Sequence, residues 1–201
     1  MAKILSKLSS TIIAGFVLAV VLIIVLKLWH QSGLGLDRAW WSFFFRWLHV
    51  LSGVMWIGIL WYFNFVQIPN MGKIPDPQKP AITGVIAPAA LFWFRWGAMS
   101  TIVTGLILAW LNGYLGQAIT IGLTDGVPKH TAIGIGMWLG TIMWFNVWFI
   151  IWPNQKKALG IVQVEPDEKA KAGRTAMLFS RTNTMLSIPM LYAMVSAQNL
   201  F

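Results

Sequence analysis

The chain has 201 residues, of which 57% are hydrophobic, 14% aromatic and only 10% charged. A soluble domain carries about 25% charged residues, and one of this size buries only about 70% of the surface its unfolded chain exposes. So much apolar surface excludes a soluble enzyme and leaves an all-α integral membrane protein. The absence of Cys excludes disulfides, thiolate metal sites, iron–sulfur clusters and a covalently attached c-type heme. The net charge of +9 is scattered over connecting segments rather than gathered on one stripe, so nucleic acid is not an expected partner and membrane lipid is.

Runs long enough to cross a hydrocarbon layer, about 20 residues each, predict five transmembrane helices near residues 9–29, 41–65, 89–111, 130–152 and 176–197. The first follows Lys3 and Lys7 and is apolar from Thr11 to Leu26, longer than a usual signal-peptide core. No small-residue cleavage pattern follows, so it reads as a retained, extra N-terminal helix. Thirteen Trp and twelve Phe suit interface belts and interhelical packing.

The basic residues sort by side. Nine (Lys3, Lys7, Lys73, Lys79, Lys156, Lys157, Lys169, Lys171 and Arg174) fall in the N-terminus, the 66–88 segment and the 153–175 segment. Three (Lys27, Arg38 and Lys129) fall on the opposite side. The positive-inside rule then predicts a cytoplasmic N-terminus and a C-terminus outside. The 153–175 segment reads as a solvated linker without a site.

Spans two and four carry one motif twice. His49 is followed by Gly53, Met55-Trp56, Gly58, Phe63-Asn64 and Pro69-Asn70; His130 is followed by Gly134, Met137-Trp138, Gly140, Phe145-Asn146 and Pro153-Asn154. Arg95 and Arg181 each stand about a turn and a half into the spans that follow. Spans 2–3 and 4–5 are therefore expected to form a parallel internal repeat about an axis along the membrane normal. His to Trp is seven residues in the first copy and eight in the second. The extra residue turns a helix by about 100°, which places His130 in a first turn or a bulge.

All six acidic residues lie between spans, so Arg46, Arg95 and Arg181 have no carboxylate partner within them. Either they snorkel to phosphate headgroups, or they pair with an anion the chain does not encode. The candidate anion sites are Arg95 and Arg181, with Arg46 one turn from His49. Imidazole is the strongest metal ligand left in the spans. His49 and His130, brought to similar depth by the repeat, have the makings of axial ligands to a b-type heme iron. Gly53 and Gly134, one turn along from each, would clear the porphyrin and Arg46 would hold a propionate. The alternative for the histidines is a hydrogen bond to a neighbouring helix, and for the glycines close helix approach. His30, beside Trp29, reads as interfacial.

At these residues, RWLHVLSGVMWIGILWYFNFVQIP and HTAIGIGMWLGTIMWFNVWFIIWPNQKK, the chain resembles the membrane domain of bacterial membrane-bound urate hydroxylases, the urate oxidase N-terminal domain family, over roughly residues 40–160. The resemblance implies a protein of the bacterial cytoplasmic membrane in a redox context. Full-length members carry a C-terminal cytochrome c domain, for which this chain has neither the length nor the Cys. Three functions follow as expectations. The first is a heme b electron-transfer protein working with a periplasmic cytochrome c. The second is a cofactor-free structural subunit of a respiratory complex, with further copies of the chain among its partners. The third is a urate-binding, oxidising domain in which Arg95 and Arg181 hold the purine anion.

Overall fold

The computed structural model describes residues 2–29 and 35–201; His30 lies outside the described residues. It divides into two units, Met1–Trp40 and Trp41–Phe201. In the first, a short turn Ala2–Leu5 precedes α1 (Leu8–Trp29), which buries none of its side chains. A helix apolar on every side, with no buried face, suits surroundings of lipid. Asp37 stands just ahead of α2 (Arg38–Trp61), and its Oδ1 accepts the Trp40 backbone N–H at 2.8 Å, capping that helix.

The second unit continues α2 through a π-turn, Tyr62–Gln67, to Asn70. A π-turn over Ile82–Ile86 leads into α3 (Ala87–Leu111). The short α4 (Leu115–Ile119) crosses to α5 (Pro128–Phe145), which runs through a third π-turn, Asn146–Ile151, into α6 (Trp152–Ala158). The last helix, α7, spans Pro166–Asn199.

The three π-turns share a cause. Each ends two residues before a proline: Pro69, Pro88 and Pro153. Proline has no N–H to donate, and its ring strikes the carbonyl four residues back. Those carbonyls belong to Phe65, Gly84 and Phe149, all inside the widened turns, where the extra residue opens the helix without ending it. A proline that would break a regular helix is thereby carried within a long one.

Contacts fix the helix directions. Along α2 and α3, His49 meets Thr104, Ser52 meets Ser100, the Trp56 backbone meets Gly97 and Phe63 meets Phe94, so this pair is antiparallel. Along α5 and α7, Gly136 faces Met194 and Asn146 faces Asn183, again antiparallel. Trp61 reaches Ser187 and Asn64 reaches Ser180, so α2 also opposes α7. Two helices that both oppose α7 run parallel to each other, and these are α2 and α5. Trp56, Leu60, Phe63, Leu91, Phe94, Met143, Val147, Ile151 and Met190 form one core between the four helices. Small residues let the backbones close in: Ala172, Ala176, Ser180, Ser187 and Ala193 line the buried face of α7.

Among the described residues, four helices are long and apolar enough to cross a membrane: Leu8–Trp29, Arg38–Lys73, Asp76–Leu111 and Pro128–Ala158. The α7 helix is not among them, because Asp167, Glu168, Lys169, Lys171 and Arg174 occupy its first third and Ser and Asn its buried face. Helical structure also reaches further than the sequence suggests. The supposed 153–175 linker is mostly α6 and the start of α7, with only residues 159–165 between them. Arg181 accordingly lies about four turns into its helix, not a turn and a half.

Candidate functional site

His49 sits half-buried in the seam between α2 and α3. Its Nδ1 lies 2.9 Å from the Thr101 carbonyl oxygen and 3.3 Å from Thr104 Oγ1. A carbonyl only accepts, so Nδ1 carries the proton and the Nε2 lone pair is left for another partner. No hydrogen bond occupies Nε2 among the described residues. The ring fits against α3 because residue 105 is glycine: a Cβ there would lie 2.8 Å from His49 Cε1.

His130 has another setting. It stands in the first turn of α5, as the extra residue in its motif predicts, and its Nδ1 lies 2.6 Å from Asp125 Oδ2. Its ring stacks on Tyr114 with centroids 5.9 Å apart. The hydrogen bond from His130, reinforced by the Val127 N–H, holds the Asp125 carboxyl below its ordinary pKa, whereas burial raises that of the Tyr114 hydroxyl against the opposing charge of Arg46. The loop that builds this cap is tightly wound. Gly113, Gly122 and Gly126 take positive φ, and so does Ile121 at 53°, a costly conformation for a β-branched residue.

Arg46 donates to Gln198 Oε1 at 3.1 Å, a neutral amide at the end of α7 rather than an anion. The two motif glycines part company. A Cβ on Gly53 would meet nothing within 4 Å, but one on Gly134 would run into the Ala118 carbonyl. Gly134 therefore serves the close approach of α4 to α5. The motif tryptophans differ too: Trp56 is 1% exposed, and Trp138 is 45% exposed with its Nε1 donating to the Ile119 carbonyl. Arg95 lies over the Trp152 ring, 3.4 Å from its centroid, whereas Arg181 is exposed on α7, and no contact joins the two arginines among the described residues.

Several members of these constellations were hidden in the sequence. Thr101, Thr104 and Gly105 follow one another on one face of α3, a pattern common wherever helices pack closely. Asp125, five residues before His130, looked like an ordinary loop acid. Asn183 is fully buried; it accepts from Asn146 Nδ2 at 2.8 Å and donates to the Met143 carbonyl at 2.9 Å. No group of three or more His, Cys, Asp or Glu side chains able to hold a metal ion occurs among the described residues.

No curated protein and no solved structure matches the chain. A family model does match residues 126–200, which take in the second motif, its π-turn and α7 but not the first motif at His49, so the match shares residues 126–160 with the expected 40–160 and extends beyond it toward the C-terminus. The segment that carries His130, Asn146 and Asn183 is thus similar to the urate oxidase N-terminal family.

Proposed function

We propose that the chain is a redox domain of the bacterial cytoplasmic membrane that binds heme b and passes electrons between a quinol or other reduced substrate and a separate cytochrome c. The observation that carries this reading is the His49 tether. A metal-ligating histidine characteristically donates its other ring nitrogen to a carbonyl or carboxylate, which fixes both tautomer and ring orientation. His49 does so to Thr101. His130 has the same arrangement toward Asp125 and is the second ligand of the proposal. Gly53 leaves open space one turn from His49, and Arg46 stands one turn on its other side for a propionate. When bound, the heme supplies one-electron chemistry; the chain's own residues set ligand orientation and burial. The similarity of residues 126–200 to the urate oxidase N-terminal family supports the redox context.

The reading includes α7 as a fifth span and α2–α3 with α5–α7 as a duplicated hairpin. The parallel course of α2 and α5 and the π-turn before Pro69 and before Pro153 support the duplication. The nine-to-three distribution of basic residues supports an N-terminus inside. Cysteine at Leu123 should then react with an impermeant thiol reagent in intact spheroplasts and cysteine at Lys169 should not; the reverse would invert the orientation.

The test of cofactor binding is the visible spectrum of the purified protein. Reduced wild type should show the Soret and α bands of a low-spin b heme, and His49→Ala should lose them. His130→Ala should lose them or become high-spin. Unchanged low-spin heme in His49→Ala would refute the ligand assignment. One observation favours a second reading, a cofactor-free structural subunit: the His49 ring is seated against Gly105 as closely as a packing residue. A wild-type spectrum with no band above the Trp absorption would establish that reading instead.

A further inference from the structure

At the opposite end of the Trp41–Phe201 unit from His49, α3 and α6 bring two cations onto one aromatic ring. The Arg95 guanidinium carbon lies 3.4 Å from the Trp152 centroid, and Lys156 Nζ lies 5.6 Å from it. Neither cation has a carboxylate within ion-pair distance among the described residues. Two of the acids at this end are engaged elsewhere: Glu168 pairs with Lys157 at 2.6 Å and Asp76 with Lys79 at 2.6 Å. Arg95 Nη1 and Trp148 Nε1 are fully buried donors with no acceptor, and Gln155 Oε1 is a buried acceptor with no donor. Trp148, Trp152 and Gln155 follow at i, i+4 and i+7 on the helix that faces Arg95. A buried polar group left without its bond costs about 1–3 kcal/mol, and more when charged. Trp56 Nε1, Asn64 Oδ1, Gln67 Oε1 and Trp144 Nε1 are left without a bond as well, but among the described residues only at the Arg95 end do such groups come with two cations on one ring, which points to an anionic ligand there.

The missing ligand has anionic oxygens for the guanidinium, the ammonium and the indole N–H. It also has a hydroxyl for Gln155. The antiparallel helices put Lys73, Lys79, Lys156, Lys157, Lys169, Lys171 and Arg174 at this same end, a basic collar of the kind that marks the membrane surface. We propose that Arg95, Lys156 and Trp152, with Trp148 and Gln155, form a binding site for the headgroup of an acidic glycerophospholipid, its phosphodiester on Arg95 and its glycerol hydroxyl on Gln155. Trp152 covers one face of the guanidinium, which keeps the charge oriented and partly shielded from water before the lipid arrives. This site is independent of the heme reading.

Native mass spectrometry of the detergent-solubilised protein, titrated with phosphatidylglycerol or with phosphatidylcholine, tests the proposal. Wild type should retain phosphatidylglycerol in preference to phosphatidylcholine. Arg95→Gln should weaken that retention roughly five- to tenfold, the worth of one basic contact to an anionic headgroup. Lys156→Gln should weaken it less, and Arg95→Lys should restore part of it. Lys129→Gln, in the first turn of α5 at the opposite end of the unit, is the control that should leave retention unchanged. If Arg95→Gln does not fold, Lys156→Gln and Arg95→Lys decide the matter alone. Equal retention of both lipids, or retention unchanged in all the Arg95 and Lys156 variants, would overturn the site. Full competition by inorganic phosphate alone would overturn the lipid assignment in favour of a soluble oxyanion.

Discussion

In the α2–α3 pair, His49 lies in the seam between two helices and its ring nitrogen is held by a backbone carbonyl; in the α5–α7 pair, His130 stands in a first turn and is held by the carboxylate of Asp125. The same order of His, Gly, Met-Trp and Gly occurs in both pairs, yet the surroundings differ at the His, at the first Gly, at the Trp and at the Asn. Gly53 looks onto open space and Gly134 onto a carbonyl. Asn64 is half-buried and bonds Ser180, whereas Asn146 is buried and shares its partner Asn183 with the Met143 carbonyl. The comparison shows that a motif fixes which side chains are offered and the neighbouring helix decides what they do. In the first pair the motif glycine faces open space; in the second it is taken up by the packing of α4, and the Nδ1 of the histidine by a loop carboxylate.

The largest expected effect sharpens this contrast. Asn183→Ala should strand the Asn146 amide and the Met143 carbonyl inside the bundle and cost about 2–4 kcal/mol, a fall of roughly 5–15 °C in the melting temperature in detergent. Asn64→Ala, at a half-exposed position, should cost about 1 kcal/mol. Equal losses would erase the asymmetry between the two pairs.

Next come the glycines. Gly134→Ala drives a methyl into the Ala118 carbonyl, which belongs to backbone and cannot swing aside, so about 1–3 kcal/mol should be lost. Gly53→Ala meets nothing and should stay within about 0.5 kcal/mol. Gly105→Ala presses on the His49 ring and should fall between the two, because that ring can give way. Thermal melts of the three variants rank them, and a costly Gly53→Ala would show that the open face is filled.

The smallest effect is the pH response, confined to the second pair. Hydrogen bonding from His130 depresses the folded-state pKa of Asp125, so its contribution is present above the unfolded-state value, near 3.9, and is lost as pH falls through the lower folded value. Protection of the Gly126, Val127, Lys129 and His130 amides against hydrogen exchange, taken relative to the intrinsic rate at each pH, should therefore fall as the pH drops below about 4 in wild type. In Asp125→Asn that protection should already be low at neutral pH. The amides around His49, held by a carbonyl that does not titrate, should show no such acid limb. A matching acid limb there would remove the distinction.

Composition alone pointed to long apolar helices, since 57% of residues are hydrophobic and 10% charged, and run length located the four that are long and apolar enough to cross a membrane among the described residues. The polar residues that stand out within those runs were legible as well, because a His or Arg among apolar neighbours is visible without any fold. The partners of those residues were not. Thr101, Thr104 and Gly105 reach His49 only when α3 folds back against α2, and Ala118 reaches Gly134 only when α4 lies across α5. Trp152 and Arg95 are far apart in the chain and meet through the packing of α3 on the start of α6. The length of α7 escaped hydropathy for a related reason: its buried face is small and polar, stabilised by Asn183 and Ser187 bonding across to other helices, and those bonds do not exist until the helices meet. Local sequence sets periodicity, backbone preference and the price of burying each side chain, whereas only tertiary contact decides which buried group has found its complement.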